Sequence, residues 1–431
     1  MGSFEEKNKI TLDKQLLEDP IVKELAKSPY KEITENTSRK RLRDDSSKSG
    51  GLGNLKKVSL KKEDQTLEYY KKKYTNSKPI DETNSSLSLQ ELIAGSLYRI
   101  TGCKSPKQKV FLKINPSKTT YHSRMDSGSK EVNFEPLKSK NELLTNLMLW
   151  QKESNYKALE ECGRLMGGVL ALGDYDRNRR NYYYDKNDGL LGKMDHDRTF
   201  QEPMNDHYKY ADPNFILHVF FIEALCKKSS LLDPDFRQAS QNFELNIRKA
   251  EDISRYSSFR DGLFHLDKSK GEWNFNPQFF DNKTLESLKN KKFSLFIFVA
   301  LLKSVQNFIQ MPKEIKEHLF LPKNLLGDAW EQLPAPTKTD LRRHSAKLLM
   351  KFEKNIQEIN SLFSEPIKIL DELESILLSK GMPLPRTSVN YDGAVKFIQK
   401  AKENNMTLCK LKESMKASVT PKKNKDLGMF R

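Results

Sequence analysis

The spacing of apolar positions changes three times along the chain. Up to about residue 85 no period is sustained. Ser, Gly, Lys and Asn dominate there, with short helices at 12–26 and 63–74 as candidates, so the expectation is an unpacked basic arm. From Leu89 the pattern tightens. A short helix over Leu89–Ala94 leads to a strand over Leu97–Ile100, a turn at Gly102 and Pro106, and a strand over Lys109–Ile114 stopped by Pro116. A helix at 139–151 follows. A longer one over Tyr156–Leu172 carries Leu159, Leu165, Met166, Val169 and Leu170 at helical spacing. Two strands, Tyr182–Tyr184 and Leu190–Met194, are joined by Asp185–Gly189, whose Asn-Asp-Gly supplies turn chemistry. Downstream the period is helical, over 214–228, 235–252, 284–310, 339–363, 366–379 and 391–416.

Strands early and helices late predict an α+β fold of two lobes, a small mixed one and a large helical one. The boundaries read as an arm over 1–85, an N-lobe over 86–152, a helical C-lobe over 153–333, and a basic helical module over 334–431 opened by Pro334-Ala-Pro336.

Composition removes several classes. The longest apolar run, Phe293–Leu302, is bounded by Lys292 and Lys303, short of the ~18 residues of a membrane span. It reads as a buried helix. Cys103, Cys162, Cys226 and Cys409 are scattered without paired spacing, so neither a disulfide framework nor a zinc site is expected, and a reducing, cytoplasmic compartment is. The N-terminus lacks the apolar core of a secretory signal. A net charge of +17 predicts an affinity for polyanions. Nucleic acid is not the expected one, because Arg177, Arg179 and Arg180 precede the rings of Tyr182–Tyr184 and do not interleave with them.

The informative segment runs from Gly173 to Phe200. Phosphoryl transfer needs one carboxylate to orient the attacking hydroxyl, and a second carboxylate with an amide to hold a divalent ion on the nucleotide phosphates. Asp176 and Asn181 lie in a loop between a helix and a strand, and Asp195 closes the next strand. A tight hairpin would return Asp195 to Asn181. The order helix, Asp-x-x-x-x-Asn, hairpin, Asp is that of a kinase site. Asp174, just upstream, reads as a cap or brace for the loop, with replacement of Asp176 as base the alternative.

Asp176-Arg177-x-x-x-Asn181 followed by Met194-Asp195-x-x-x-x-Phe200 resembles the catalytic loops of the type II phosphatidylinositol 4-kinases and the HipA-like atypical kinases. The resemblance covers about residues 90–310. It implies a bilobal protein-kinase-like fold, Asp176 as the catalytic residue, Asn181 and Asp195 as metal ligands, and ATP with Mg²⁺ or Mn²⁺ as cofactors. It also implies an effector of the kind intracellular bacteria deliver, acting in the host cytosol or at a membrane surface. In Val110-Phe111-Leu112-Lys113-Ile114 the two-residue period puts Phe111 and Lys113 on one face. By likeness to the Val-Ala-Ile-Lys strand, Lys113 would meet the phosphates and Phe111 the adenine. Glu142, or else Glu135, is the expected acidic partner of Lys113.

Two departures stand out: no glycine-rich lid precedes Lys109, and Asp195-His196-Asp197 replaces Asp-Phe-Gly. The function expected is transfer of the γ-phosphate of ATP to a hydroxyl on a protein. A phosphoinositide acceptor and a catalytically weak binding module are the alternatives. Inositol hexakisphosphate or an anionic membrane is the expected activator or address, the former held by convergent Lys and Arg of the helical lobe and C-terminal module, the latter met by the basic C-terminal third.

Overall fold

The computed structural model describes residues 14–27, 30–32, 53–62, 65–74, 84–115, 118–128, 134–136, 152–174, 181–185, 188–196, 199–200, 264–267, 272–275, 292–386 and 389–419, with isolated positions at 146, 149 and 150. The expected helices at 214–228 and 235–252, and nearly all of the one at 139–151, lie outside the described residues.

The N-terminal region contains regular structure where an arm was expected. Helices α1 (Lys14–Glu18) and α2 (Pro20–Leu25) occupy the first helical candidate. The Asp19 carboxylate caps α2, accepting the amides of Ile21 at 2.7 Å and Val22 at 3.2 Å, and Pro20 takes the first helical position. Strands β1 (Tyr30–Glu32), β2 (Gly53–Lys62) and β3 (Gln65–Tyr74) follow. The helix expected at 63–74 is therefore a strand: Thr66, Tyr69, Tyr70 and Tyr74 suit a pleated surface better than a helix.

The next correction is larger. The short helix and strand expected between Leu89 and Ile100 are one helix, α3 (Asn84–Ile100). Leu89, Leu92, Ile93, Leu97 and Ile100 keep helical spacing throughout, and all are buried. Gly102, at φ 86°, stops it. Strands β4 (Gln108–Asn115), which contains the strand expected from Lys109, and β5 (Lys118–Gly128) complete a five-stranded sheet of order β1-β4-β5-β3-β2. Only the β1–β4 pair is parallel. α3 packs on this sheet through Gly95, where a Cβ would stand 2.8 Å from the Gln108 side chain.

After β6 (Phe134–Pro136) comes α4 (Tyr156–Ala171), then the hairpin β7 (Tyr182–Asp185) and β8 (Leu191–Lys193), where sequence placed them. β6, β7 and β8 form a separate sheet, and β9 (Phe264–Asp267) pairs with β10 (Glu272–Phe275). α5 (Lys292–Ile309) lies against α4 at unusually short range. A Cβ at Gly163 would fall 2.4 Å from the Ile297 carbonyl oxygen, and one at Gly167 would fall 2.6 Å from the Ser304 Cβ.

The remaining helices are α6 (Lys313–Phe320), α7 (Pro322–Leu326), α8 (Asp328–Glu331), α9 (Ala335–Lys368), α10 (Leu370–Ser379), α11 (Asp392–Glu403) and α12 (Leu408–Val419). The single helix expected over 391–416 is two. Asn405 adopts φ 51°, its amide bonds Lys402 O at 3.1 Å and the Met406 amide bonds Ala401 O at 2.9 Å, a left-handed cap that ends α11. α9 carries Leu341, Leu348, Phe352, Ile356, Ile359 and Phe363 as a buried stripe. Phe352 stacks on Phe320 at 5.5 Å, and Phe200 meets both rings edge-on. One hydrophobic core therefore runs from α2 to α12. The architecture is α+β. Among the described residues no single helix is long and apolar enough to cross a membrane; α5 with α6 meets the length only as a pair bent by 77°.

Candidate active site

The C-terminus of α4 sets the first side chain. Gly173, at φ 55°, donates its amide to Leu170 O at 3.2 Å, and the Asp174 amide reaches Val169 O at 3.1 Å. This cap fixes where Asp174 leaves the helix. Its carboxylate is fully buried. Asp174 Oδ2 pairs with Lys193 Nζ at 2.8 Å, accepts the Tyr98 hydroxyl at 3.2 Å and lies 3.8 Å from His196 Nδ1. Asp174 thus ties the end of α4 to the end of β8; the loop it was expected to brace, 175–180, lies outside the described residues.

Lys193 ends β8 and is itself 0% exposed, so both charges of this pair are out of water. Its ammonium also donates to the Asp195 carbonyl at 3.3 Å and sits 5.6 Å from the centre of the Tyr182 ring. Burial pushes the Asp174 carboxyl upward, but the Lys193 ammonium and His196 outweigh it and hold it below the ordinary carboxylate value. Burial is the main cause holding His196 below the usual histidine value, with Lys193 adding to it and Asp174 opposing it. The His196 Nε2 bonds Ser105 Oγ at 2.8 Å and its ring packs on Tyr98 at 4.8 Å.

The hairpin positions the residues singled out for chemistry. Tyr182 faces Lys193, Tyr183 faces Gly192 and Tyr184 faces Leu191. One step further, the Met194 amide donates to Asn181 O at 2.7 Å. Asn181 and Asp195 therefore sit at the same open end of the hairpin, as its tight turn required. Asn181 is buried, and Asp195 is half-buried with φ 62°, a left-handed conformation uncommon for a residue with a side chain.

The segment beyond is pinned. The Gln90 side-chain Nε2 donates to Thr199 O at 3.0 Å, Thr199 Oγ1 donates to His196 O at 2.8 Å, and the Phe200 backbone amide donates to Leu172 O at 2.7 Å.

The other expected site residues are less defined. Phe111 and Lys113 lie on β4, opposite His122 and Thr120 of β5. By alternation they take the register positions opposite in sense to Gln108 and Val110, which are buried toward α3. Glu135 lies on β6 opposite Tyr184. Asp176, Glu142, Asp197 and the Arg177, Arg179 and Arg180 set lie outside the described residues. Of the basic C-terminal cations, Lys402 approaches Glu317 at 3.6 Å and Lys410 approaches Asp328 at 3.8 Å.

Lys193, His196 and Ser105 were not singled out for this cluster from sequence. The sequence marks Lys193 only as a charge on a short strand between Leu191 and Met194, which does not by itself distinguish a buried lysine from an exposed one. Among the described residues no group of three or more His, Cys, Asp or Glu could hold a metal ion. Asn181 and Asp195 together offer an amide and a carboxylate oxygen. Such hard oxygen donors suit Mg²⁺ or Mn²⁺, and Mg²⁺ is commonly held by one or two carboxylates completed by substrate phosphates.

No protein-family model matches the chain, and no characterised protein matches it by sequence. Among solved structures the chain is similar to the crystal structure of a Helicobacter pylori proinflammatory kinase, CtkA. The identity is 11% and the TM-score 0.30, over 76% of this chain and 97% of that one.

Proposed function

We propose that this protein is an atypical kinase that transfers the γ-phosphate of ATP to a hydroxyl group on a protein. The observation that carries the reading is the bond between the Met194 amide and Asn181 O. It closes the hairpin with Asn181 and Asp195 at its open end, which supports reading the two as one site. In this reading Asn181 and Asp195 hold Mg²⁺ or Mn²⁺ on the nucleotide, which neutralises charge on the phosphates. Asp176 orients the acceptor hydroxyl. Lys113 pairs with phosphate and with Glu142, and Phe111 lines the adenine side. The chain would act as an effector in the host cytosol or at a membrane surface, as the family resemblance implies.

The net charge of +17 favours a second reading, in which the acceptor is a phosphoinositide headgroup and inositol hexakisphosphate or an anionic membrane is the activator. A single assay separates these readings. Radiolabelled ATP with Mg²⁺ or Mn²⁺ is supplied with generic protein acceptors, phosphoinositide vesicles or inositol hexakisphosphate in turn. Transfer is expected for the wild type and absent for Asp195→Ala with unchanged circular dichroism. Equal turnover in that variant removes the kinase reading and leaves the weak binding module.

A further inference from the structure

Burying a lysine and an aspartate together is expensive. Two charges taken out of water are seldom fully repaid by their mutual attraction, and well-packed apolar replacements are often as stable or more so. The Lys193–Asp174 pair is 0% exposed on both sides and ties the end of α4 to the end of β8. Besides Asp174 and the Tyr182 ring, the Lys193 ammonium reaches the Asp195 carbonyl, at 3.3 Å. Asp195 is held at φ 62°, a conformation that costs about 1–2 kcal/mol for an L-residue and persists only where neighbours enforce it. Those neighbours are on both sides. Before it, Lys193 is anchored on Asp174, which the cap of α4 fixes in turn. After it, His196 is held by Ser105 Oγ at 2.8 Å and by the Tyr98 ring.

We infer that Asp174 and Lys193, with His196 and Ser105, form a buried positioning device that sets the backbone of Asp195 and so aims its carboxylate at the divalent ion of the nucleotide. The inference rests on the proposed role of Asp195 as a metal ligand. Lys193 and Asp174 touch neither metal nor substrate in it; they act through Asp195. The usual flexible glycine after the metal aspartate is absent here, and a rigid mounting takes its place.

The test is Mn²⁺ binding in the presence of ADP, read by electron paramagnetic resonance, beside thermal melting of the same samples. Asp174→Asn/Lys193→Met removes both charges and leaves an oxygen able to accept the Tyr98 hydroxyl. We expect it to melt at or above the wild-type temperature while binding Mn²⁺ about 10–100-fold more weakly, the range seen when partners that orient metal ligands are removed. Raising Mn²⁺ in proportion should restore phosphoryl transfer, which a general loss of structure would not allow. Asp195→Asn should lose Mn²⁺ binding outright. If Asp195→Asn loses the ion and the double variant binds it like the wild type, the positioning role is overturned and the kinase reading survives. If Asp195→Asn binds Mn²⁺ unchanged, the metal-ligand reading fails and this inference with it. Should the double variant not fold, Ser105→Ala, which removes only the His196 contact, carries the test. A several-fold weaker affinity is expected, and an unchanged one overturns the proposal.

Discussion

Glu24 Oε1 accepts two hydrogen bonds from the Arg99 guanidinium, from Nε at 2.9 Å and from Nη2 at 2.7 Å, with both side chains nearly out of water. α2 is thereby bound to the end of the central helix α3. Burial alone would raise the Glu24 carboxyl, but Arg99 and Lys27 hold it far below its ordinary value. Removing one partner leaves a buried charge uncompensated. Glu24→Ala should cost about 3–5 kcal/mol in urea denaturation, and Glu24→Ala/Arg99→Met clearly less. An equal loss in the two variants would show that the pairing itself contributes little.

The α4–α5 contact makes a second prediction. Ala at Gly163 would bring its Cβ to 2.4 Å from a backbone oxygen, which has no rotamer with which to yield. The helices must part instead. Gly163→Ala and Gly167→Ala should each cost about 1–3 kcal/mol by thermal melting, although alanine is the better helix former. A gain in stability would mean that the helices are not packed this closely.

Stability should fall in mild acid. Burial pulls His318 down to about 4, with Lys402 adding to the effect, and half-burial pulls His344 to about 4 as well. An unfolded histidine takes up its proton near pH 6.5, whereas the folded His318 refuses it until about pH 4. Its contribution is therefore complete above pH 6.5 and is lost as pH falls from 6.5 to 4, on the order of 3 kcal/mol over the window. Denaturation midpoints from pH 7.5 to 4.5 should show the decline, and His318→Gln should flatten it. A profile identical in that variant would assign the acid limb to other groups.

The carboxylates of the site should separate kinetically. Asp176→Ala is expected to spare nucleotide and metal binding and lower turnover about 10²–10⁴-fold, the usual worth of a positioned base. Lys113→Met is expected to raise the KM for ATP and leave the stability of the sheet unchanged. Loss of metal binding in Asp176→Ala would reassign the ligand, and an unchanged KM in Lys113→Met would remove that lysine from the nucleotide site.

Much of the Tyr182–Lys193 hairpin was legible because its signals are local. Asp185–Gly189 specified a tight turn, and a tight turn leaves one register for Tyr182–Tyr184 against Leu191–Lys193. Errors arose where a short window was ambiguous. Leu97-Tyr98-Arg99-Ile100 has strand composition, and only its spacing from Leu89, Leu92 and Ile93 shows it to be helix. β2 and β3 are crowded with lysines, so their two-residue alternation is masked by charge, and pairing with distant β5 decides them. Asn404-Asn405 is a local stop signal within 391–416, since asparagine tolerates the left-handed conformation that ends α11. Lys193 could not be read as buried from its own neighbourhood, since its partner Asp174 comes from another element and only tertiary packing joins them.

Asp19 caps α2 and also lies where a side chain on Gly393, at the start of α11, would meet it at 2.7 Å. The order of manufacture and the order of docking are thus opposed. α2 leaves the ribosome well before α11, and its seat on α11 exists only after Gly393 has been synthesised, tens of seconds later at ordinary elongation rates. Until then Ile21, Val22 and Leu25, all buried at the end, wait with part of their final cover still to come. A nascent chain stalled before residue 390 should expose these three side chains to chaperones or proteases, and one stalled after α12 should hide them.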